Sequence, residues 1–172
     1  MKNIFLIGYM GTGKSSVAAY MAEEYGLEVL EMDEVIAKRE GMSISDIFAK
    51  QGEEYFRDVE TKLLQEICLQ EDKVVSCGGG VVLRSQNVEM MKQRGTIVLL
   101  SASSETILER VKDDASRPLL QGNKTVDFIS EMMEKRREKY EGATDIIIQT
   151  DGKQIADICY EIYEQIEREG EA

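Results

Sequence analysis

Eight residues near the start of the chain, Gly8-Tyr9-Met10-Gly11-Thr12-Gly13-Lys14-Ser15, fit the pattern G-x-x-x-x-G-K-[ST]. A phosphate group needs many hydrogen-bond donors at short range. Glycines let the backbone curl until successive N–H groups point inward, at the positive end of the following helix. Lys14 can then reach the β- and γ-phosphates of a nucleotide, and the Ser15 hydroxyl can ligate Mg2+. Gly11, Thr12, Gly13 and Ser16 complete the expected nucleotide contacts. The apolar run Ile4-Phe5-Leu6-Ile7 before the loop and a helical pattern after it supply the context such a loop requires.

Other residues could act on whatever the phosphate meets. Asp33 closes Glu31-Met32-Asp33 where a second strand gives way to a helix. It reads either as a helix cap or as a carboxylate that holds an acceptor hydroxyl and takes its proton. The runs Val74-Val75-Ser76-Cys77 and Leu99-Leu100-Ser101 bring no acid to the ends of their strands. Glu31 and Asp33 are therefore the acids best placed to offset a magnesium ion. Gly78-Gly79-Gly80 reads as a place where backbone amides approach a ligand, since three glycines make a loop costly to order. Arg57 stands three residues before Glu60, a spacing that by itself reads as an exposed pair. Phe128, Met132, Arg136 and Tyr140 recur at four-residue steps, which puts Arg136 on an inward stripe. An unpaired charge there is costly, so Arg136 should face an internal carboxylate or a bound anion. Arg137 beside it reads as solvent-facing. The polar stretch from about 111 to 125 carries Arg117 and the only proline, and reads equally as a solvated surface loop or as a lid able to close over the phosphates.

Strand-like and helix-like segments alternate to hold these residues in place. Strands are expected at Asn3–Ile7, Glu28–Glu31, Lys73–Ser76, Thr96–Leu100 and Asp145–Gln149. Between them, Phe56, Val59, Leu63 and Ile67, and later Ile155, Ile158, Ile162 and Ile166, carry helical spacing. Such alternation implies right-handed crossovers and an α/β fold, a five-stranded parallel sheet with helices on both faces. Ligands of open α/β sheets sit beyond the carboxyl ends of the strands. The phosphate loop, Glu31 with Asp33, and the triple glycine all fall there.

The 172 residues read as one domain covering 1–172, and Glu167–Ala172 as a tail that frays. A net charge of −12 speaks against nucleic acid as a partner, though clustered arginines can still make one cleft locally positive. The absence of histidine leaves carboxylates as the proton acceptors near neutral pH. No apolar stretch approaches the roughly 18 residues of a membrane span. The first strand begins too early to leave room for a signal peptide. Cys68, Cys77 and Cys159, odd in number and widely spaced, read as reduced cytoplasmic thiols.

Taken together these features resemble shikimate kinase, a family within the P-loop nucleoside-monophosphate-kinase-like group. Beyond the phosphate loop, the resemblance rests on Gly41-x-Ser43-Ile44-x-x-Ile47-Phe48, Gly52-Glu53-x-x-Phe56-Arg57-x-x-Glu60, Gly78-Gly79-Gly80 and Arg117-Pro118-Leu119-Leu120. It implies Mg-dependent transfer of the ATP γ-phosphoryl to the 3-hydroxyl of shikimate, in aromatic amino-acid biosynthesis. By the same resemblance Asp33 holds the acceptor and serves as base, and Arg57 and Arg136 grip its carboxylate. Gly79 gives a backbone contact, with Gly78 and Gly80 shaping the loop. Arg117 covers the phosphates, while Arg110 and Lys153 flank the adenine. The family usually has Asp-x-Asp where this chain has Glu31-Met32-Asp33, so Glu31 is expected to reach magnesium through water. Family likeness also implies a monomer. The alternatives are a kinase for another small hydroxylated acid such as gluconate, or for a nucleoside monophosphate, and an inactive binding module. The last would be expected to lack Lys14, Asp33 or Arg117, and all three are present.

Overall fold

A strand buried along its whole length, β1 (Asn3–Ile7), lies at the centre of a five-stranded parallel sheet. The computed structural model describes residues 2–112 and 125–171. The other strands are β2 (Glu28–Glu31), β3 (Lys73–Ser76), β4 (Gly95–Ser101) and β5 (Ile146–Gln149), in the order β2-β3-β1-β4-β5. Every neighbouring pair runs parallel, with Phe5 beside Val75 on one side and Ile97 on the other. β4 is one residue longer at each end than expected, and β5 starts one residue later.

Alternation along the strands sends side chains to two separate cores. Ile4 and Leu6 join Val74, Val98, Leu100 and Ile148 on one face. There α1 (Lys14–Tyr25) and α8 (Ile155–Gly170) cover them with Val17, Met21, Ile158 and Ile162. Phe5 and Ile7 face the other way with Val75, Ile97 and Leu99. This second core is closed by α2 (Met32–Glu40), α3 (Ile44–Gln51), α4 (Glu53–Ile67), α5 (Ser85–Arg94), α6 (Ser104–Val111) and α7 (Val126–Ala143). Each side chain fully buried in this way contributes about 1.5–3 kcal/mol. All three cysteines are buried and free: Cys68 and Cys77 in the second core, Cys159 in the first. The acidic tail expected to fray is helical through Gly170.

The strand order opens a crevice at one place. The chain leaves β1 toward β2 on one side, whereas it leaves β3 toward β4 on the other. The loops after β1 and β3 thus diverge, and such a switch point is where open α/β sheets bind ligands. Gly8 follows β1 and Cys77-Gly78 follows β3. Gly8 has φ +143°, and a Cβ there would stand 2.4 Å from the Leu100 carbonyl oxygen, so the turn into the loop tolerates no side chain.

Candidate active site

The crevice opens into a cavity of about 800 Å3 reached by the phosphate loop, the end of β2, the triple glycine and α7. At one end α1 begins directly after Gly13, whose left-handed backbone (φ 95°) caps the helix without a side chain. The amides of the first helical turn are left for an outside acceptor. The Thr12 hydroxyl donates to the Tyr9 carbonyl at 2.8 Å and stiffens the loop. The Lys14 ammonium donates to the carbonyls of Gly8 at 2.7 Å and Tyr9 at 3.1 Å, folded back on its own loop. Arg110 reaches across from α6 to donate to the Gly11 carbonyl at 2.8 Å. Lys153 stands after β5, paired with Glu161 at 2.7 Å. Arg117 and the greater part of the expected lid lie outside the described residues.

Glu31 ends β2 with its carboxylate accepting from the Ser15 hydroxyl at 3.0 Å. Burial raises its carboxyl above the ordinary range, and hydrogen bonds from Ser76 and Ser15 work against that rise. Asp33 does not cap α2. The helix begins at Met32, so Asp33 lies in its first turn with its carboxylate in the cavity, close against Gly78.

Arg57 departs from the exposed pair its spacing suggested. It is buried on α4, with its guanidinium 3.0 Å from Glu60 and 3.3 Å from Glu53. Its charge also lies over the Phe56 ring at 5.2 Å and the Phe48 ring at 6.0 Å. Glu60 has no exposed surface, and burial pushes its carboxyl up against the opposing pull of Arg57. The packing of α3 on α4 and the arrival of Gly80 close this pocket. A Cβ on Gly80 would come within 2.4 Å of the Arg57 guanidinium, and one on Gly78 within 2.7 Å of Glu60 Oε2. The glycines here admit charged side chains to the backbone, a use beyond the ligand approach expected of them.

Arg136 faces inward from α7 as its stripe requires, buried, with its guanidinium over the Tyr9 ring at 5.9 Å. Among the described residues no carboxylate stands within ion-pair distance of it. Arg137 is exposed and pairs with Glu134. Two residues had no role assigned from sequence, Tyr9 and Tyr140. Tyr140 was visible as the last member of the Arg136 stripe; Tyr9 had no signal beyond its place in the phosphate loop.

A phosphate loop, a carboxylate and two inward arginines around one crevice of a parallel sheet define a P-loop phosphotransferase. A family profile described as shikimate kinase matches residues 10–167. The chain belongs to the shikimate kinase family and is an ATP-dependent kinase. It is 44% identical to the shikimate kinase of Thermodesulfovibrio yellowstonii, over 98% of this chain and 96% of that protein. It is 43% identical to that of Persephonella marina, over 96% and 99%. Among solved structures, the shikimate kinase from Acinetobacter baumannii in complex with shikimate superimposes with a TM-score of 0.93 at 34% identity, covering 98% and 94% of the two chains. A gluconokinase from Sinorhizobium meliloti, at 21% identity and TM-score 0.62, shares the fold alone.

Proposed function

We propose that the chain transfers the γ-phosphoryl of ATP to the 3-hydroxyl of shikimate, releasing ADP and shikimate 3-phosphate. The observation that carries this reading is the inward Arg136, with no carboxylate within ion-pair distance among the described residues, sharing one cavity with Asp33 and the phosphate loop. A compact hydroxylated carboxylate satisfies both ends of that cavity at once. Arg57 and Arg136 hold its carboxylate, and the triple-glycine amides around Gly79 hold its ring substituents. Asp33 orients the acceptor hydroxyl and takes its proton as the new P–O bond forms and the bond to the ADP oxygen breaks. Lys14 leaves the Gly8 and Tyr9 carbonyls for the phosphates, and the α1 amides receive the rest. Arg110 stands at the rim of the phosphate loop, on the nucleotide side. Arg117 is assigned to the phosphates, and Lys153 to the adenine side, by sequence.

The donors beside the loop, the Ser15 hydroxyl and the Glu31 carboxylate, are all oxygens, which suits a hard divalent ion such as Mg2+. Among the described residues no group of three acids or cysteines could hold a metal alone, so phosphate and water would supply its other ligands. Ser15 would bind it directly and Glu31 through water. Its contribution would be to neutralise charge on the β- and γ-phosphates. Likeness to the family supports a monomer. No helix among the described residues is long and apolar enough to cross a membrane, and the buried free thiols fit a reducing cytoplasm.

The deciding experiment follows ADP release with ATP and Mg2+ in the presence of shikimate, gluconate, AMP or no acceptor. Turnover with shikimate alone is expected. Preferential turnover of gluconate or AMP would keep the phosphate site and overturn the acceptor assignment.

A further inference from the structure

The triple-glycine loop has an unusual division of its polar groups. The Gly78 carbonyl accepts from the Val81 amide and the Gly80 carbonyl from the Leu83 amide, both at 3.1 Å. The Gly79 carbonyl accepts from the phenol of Tyr140, which arrives from α7, 61 residues away in sequence. All three carbonyls are thus engaged. Among the described residues, the amides of Gly78, Gly79 and Gly80 donate to no acceptor, and all three glycines line the cavity.

Tyr140 does more than fill space. It stands one helical turn beyond Arg136 on the same inward stripe and is buried beside it. A Cβ on Gly79 would lie 3.4 Å from Arg136 Nη1 and 3.7 Å from the Tyr140 hydroxyl, so the three groups meet at one point. The phenol gives its proton to the loop, and the Arg136 guanidinium lies beside it, its charge working against the burial that raises the phenol. A peptide between two glycines has little steric resistance to flipping, and a flip would turn its N–H away from the cavity. The Tyr140 bond fixes the one carbonyl in the loop that no backbone amide holds.

We propose that Tyr140 is a positioning residue for the acceptor, coupling Arg136 to the Gly79–Gly80 peptide so that the carboxylate grip and the loop amides are set together. This rests on the acceptor reading above. Preorganised donors recognise a ligand without reordering cost, and that advantage is lost if the peptide samples two orientations.

The test is Tyr140→Phe, which keeps the ring and removes only the hydroxyl. Loss of one buried hydrogen bond and of the preset peptide should raise the KM for shikimate about tenfold. The KM for ATP and kcat should stay within about twofold, and the Gly80 amide resonance should shift or broaden in 15N spectra of the apo protein. Arg136→Lys should show the same bias, and the double variant should cost less than the product of the two effects. An unchanged shikimate KM with an unmoved Gly80 resonance would overturn the proposal. So would equal rises in both KM values with a large drop in Tm, the mark of a merely structural tyrosine. If the parent protein does not phosphorylate shikimate, the acceptor reading itself fails. In that case the Gly80 resonance still decides whether Tyr140 sets the loop.

Discussion

Asp33→Asn is expected to lower kcat by about 10²–10⁴-fold while leaving the KM for ATP near its parent value. Asparagine preserves the size and the acceptor oxygen of the side chain, so an acceptor hydroxyl can still be held. What it cannot do is take up the proton as the oxygen becomes bonded to phosphorus. The nucleotide end of the cavity is built by the β1–α1 loop, whereas Asp33 stands in the first turn of α2. The substitution should therefore act on chemistry and not on nucleotide binding. In a first helical turn the lost charge costs about 0.3–1 kcal/mol through the helix dipole. Steady-state kinetics with both substrates varied decides the matter. Activity within tenfold of the parent would remove Asp33 from the role of base.

The second large effect falls on stability. Arg57→Ala should destabilise the protein by about 3–5 kcal/mol, because it strands Glu60 as a buried charge with no partner. Glu60 has no exposed surface, and its carboxyl already lies above the ordinary value through burial, with Arg57 opposing the rise. Without Arg57 it rises further. A carboxyl raised in the folded state binds its proton more tightly there than in the unfolded chain. Its stabilising contribution is complete below the unfolded value, near 4.5, and is lost as pH climbs through the folded value. The deficit of Arg57→Ala should therefore be small in mild acid and largest near pH 8. Urea unfolding at the two pH values measures it. Adding Glu60→Gln should restore much of the loss near pH 8, since a neutral amide costs far less to bury than a charge. A deficit equal at both pH values would mean that packing, not charge, is what Arg57 supplies. In either background the shikimate KM should rise, as the proposed role of Arg57 in the carboxylate grip requires.

Much of this arrangement is legible in the chain. Runs such as Ile4–Ile7 and Val74–Val75 mark buried strands by composition alone, and the four-residue rhythm through Arg136 places that arginine inward before any coordinates are known. The phosphate loop is a local object, so its residues announce it. The Arg57–Glu60 pair is a different case. Its spacing is that of countless surface pairs, and its burial depends on α3 and Gly80, which lie apart in sequence and meet only on folding. Tyr140 and Gly79 are separated further still, and nothing in either segment names the other. Asp33 is recognisable as an acid at the sheet edge, but whether it caps α2 or enters its first turn depends on where the helix starts, a matter of two residues.

The crevice side of the sheet carries two internal thiols, Cys68 and Cys77, and the opposite side carries one, Cys159. Cys77 lies directly under the triple glycine and Cys159 in the opposite core, where burial pushes its thiol up to about 11. Burial raises the Cys77 thiol as well. Since thiolates, not thiols, meet alkylating reagents, neither should react until its own face opens. The native chain is thus a two-channel clock: modification of Cys77 times the breathing of the acceptor crevice, and that of Cys159 times the loosening of the layer behind it. Shikimate would slow the first channel more than the second, making substrate occupancy readable from the mass of the alkylated protein.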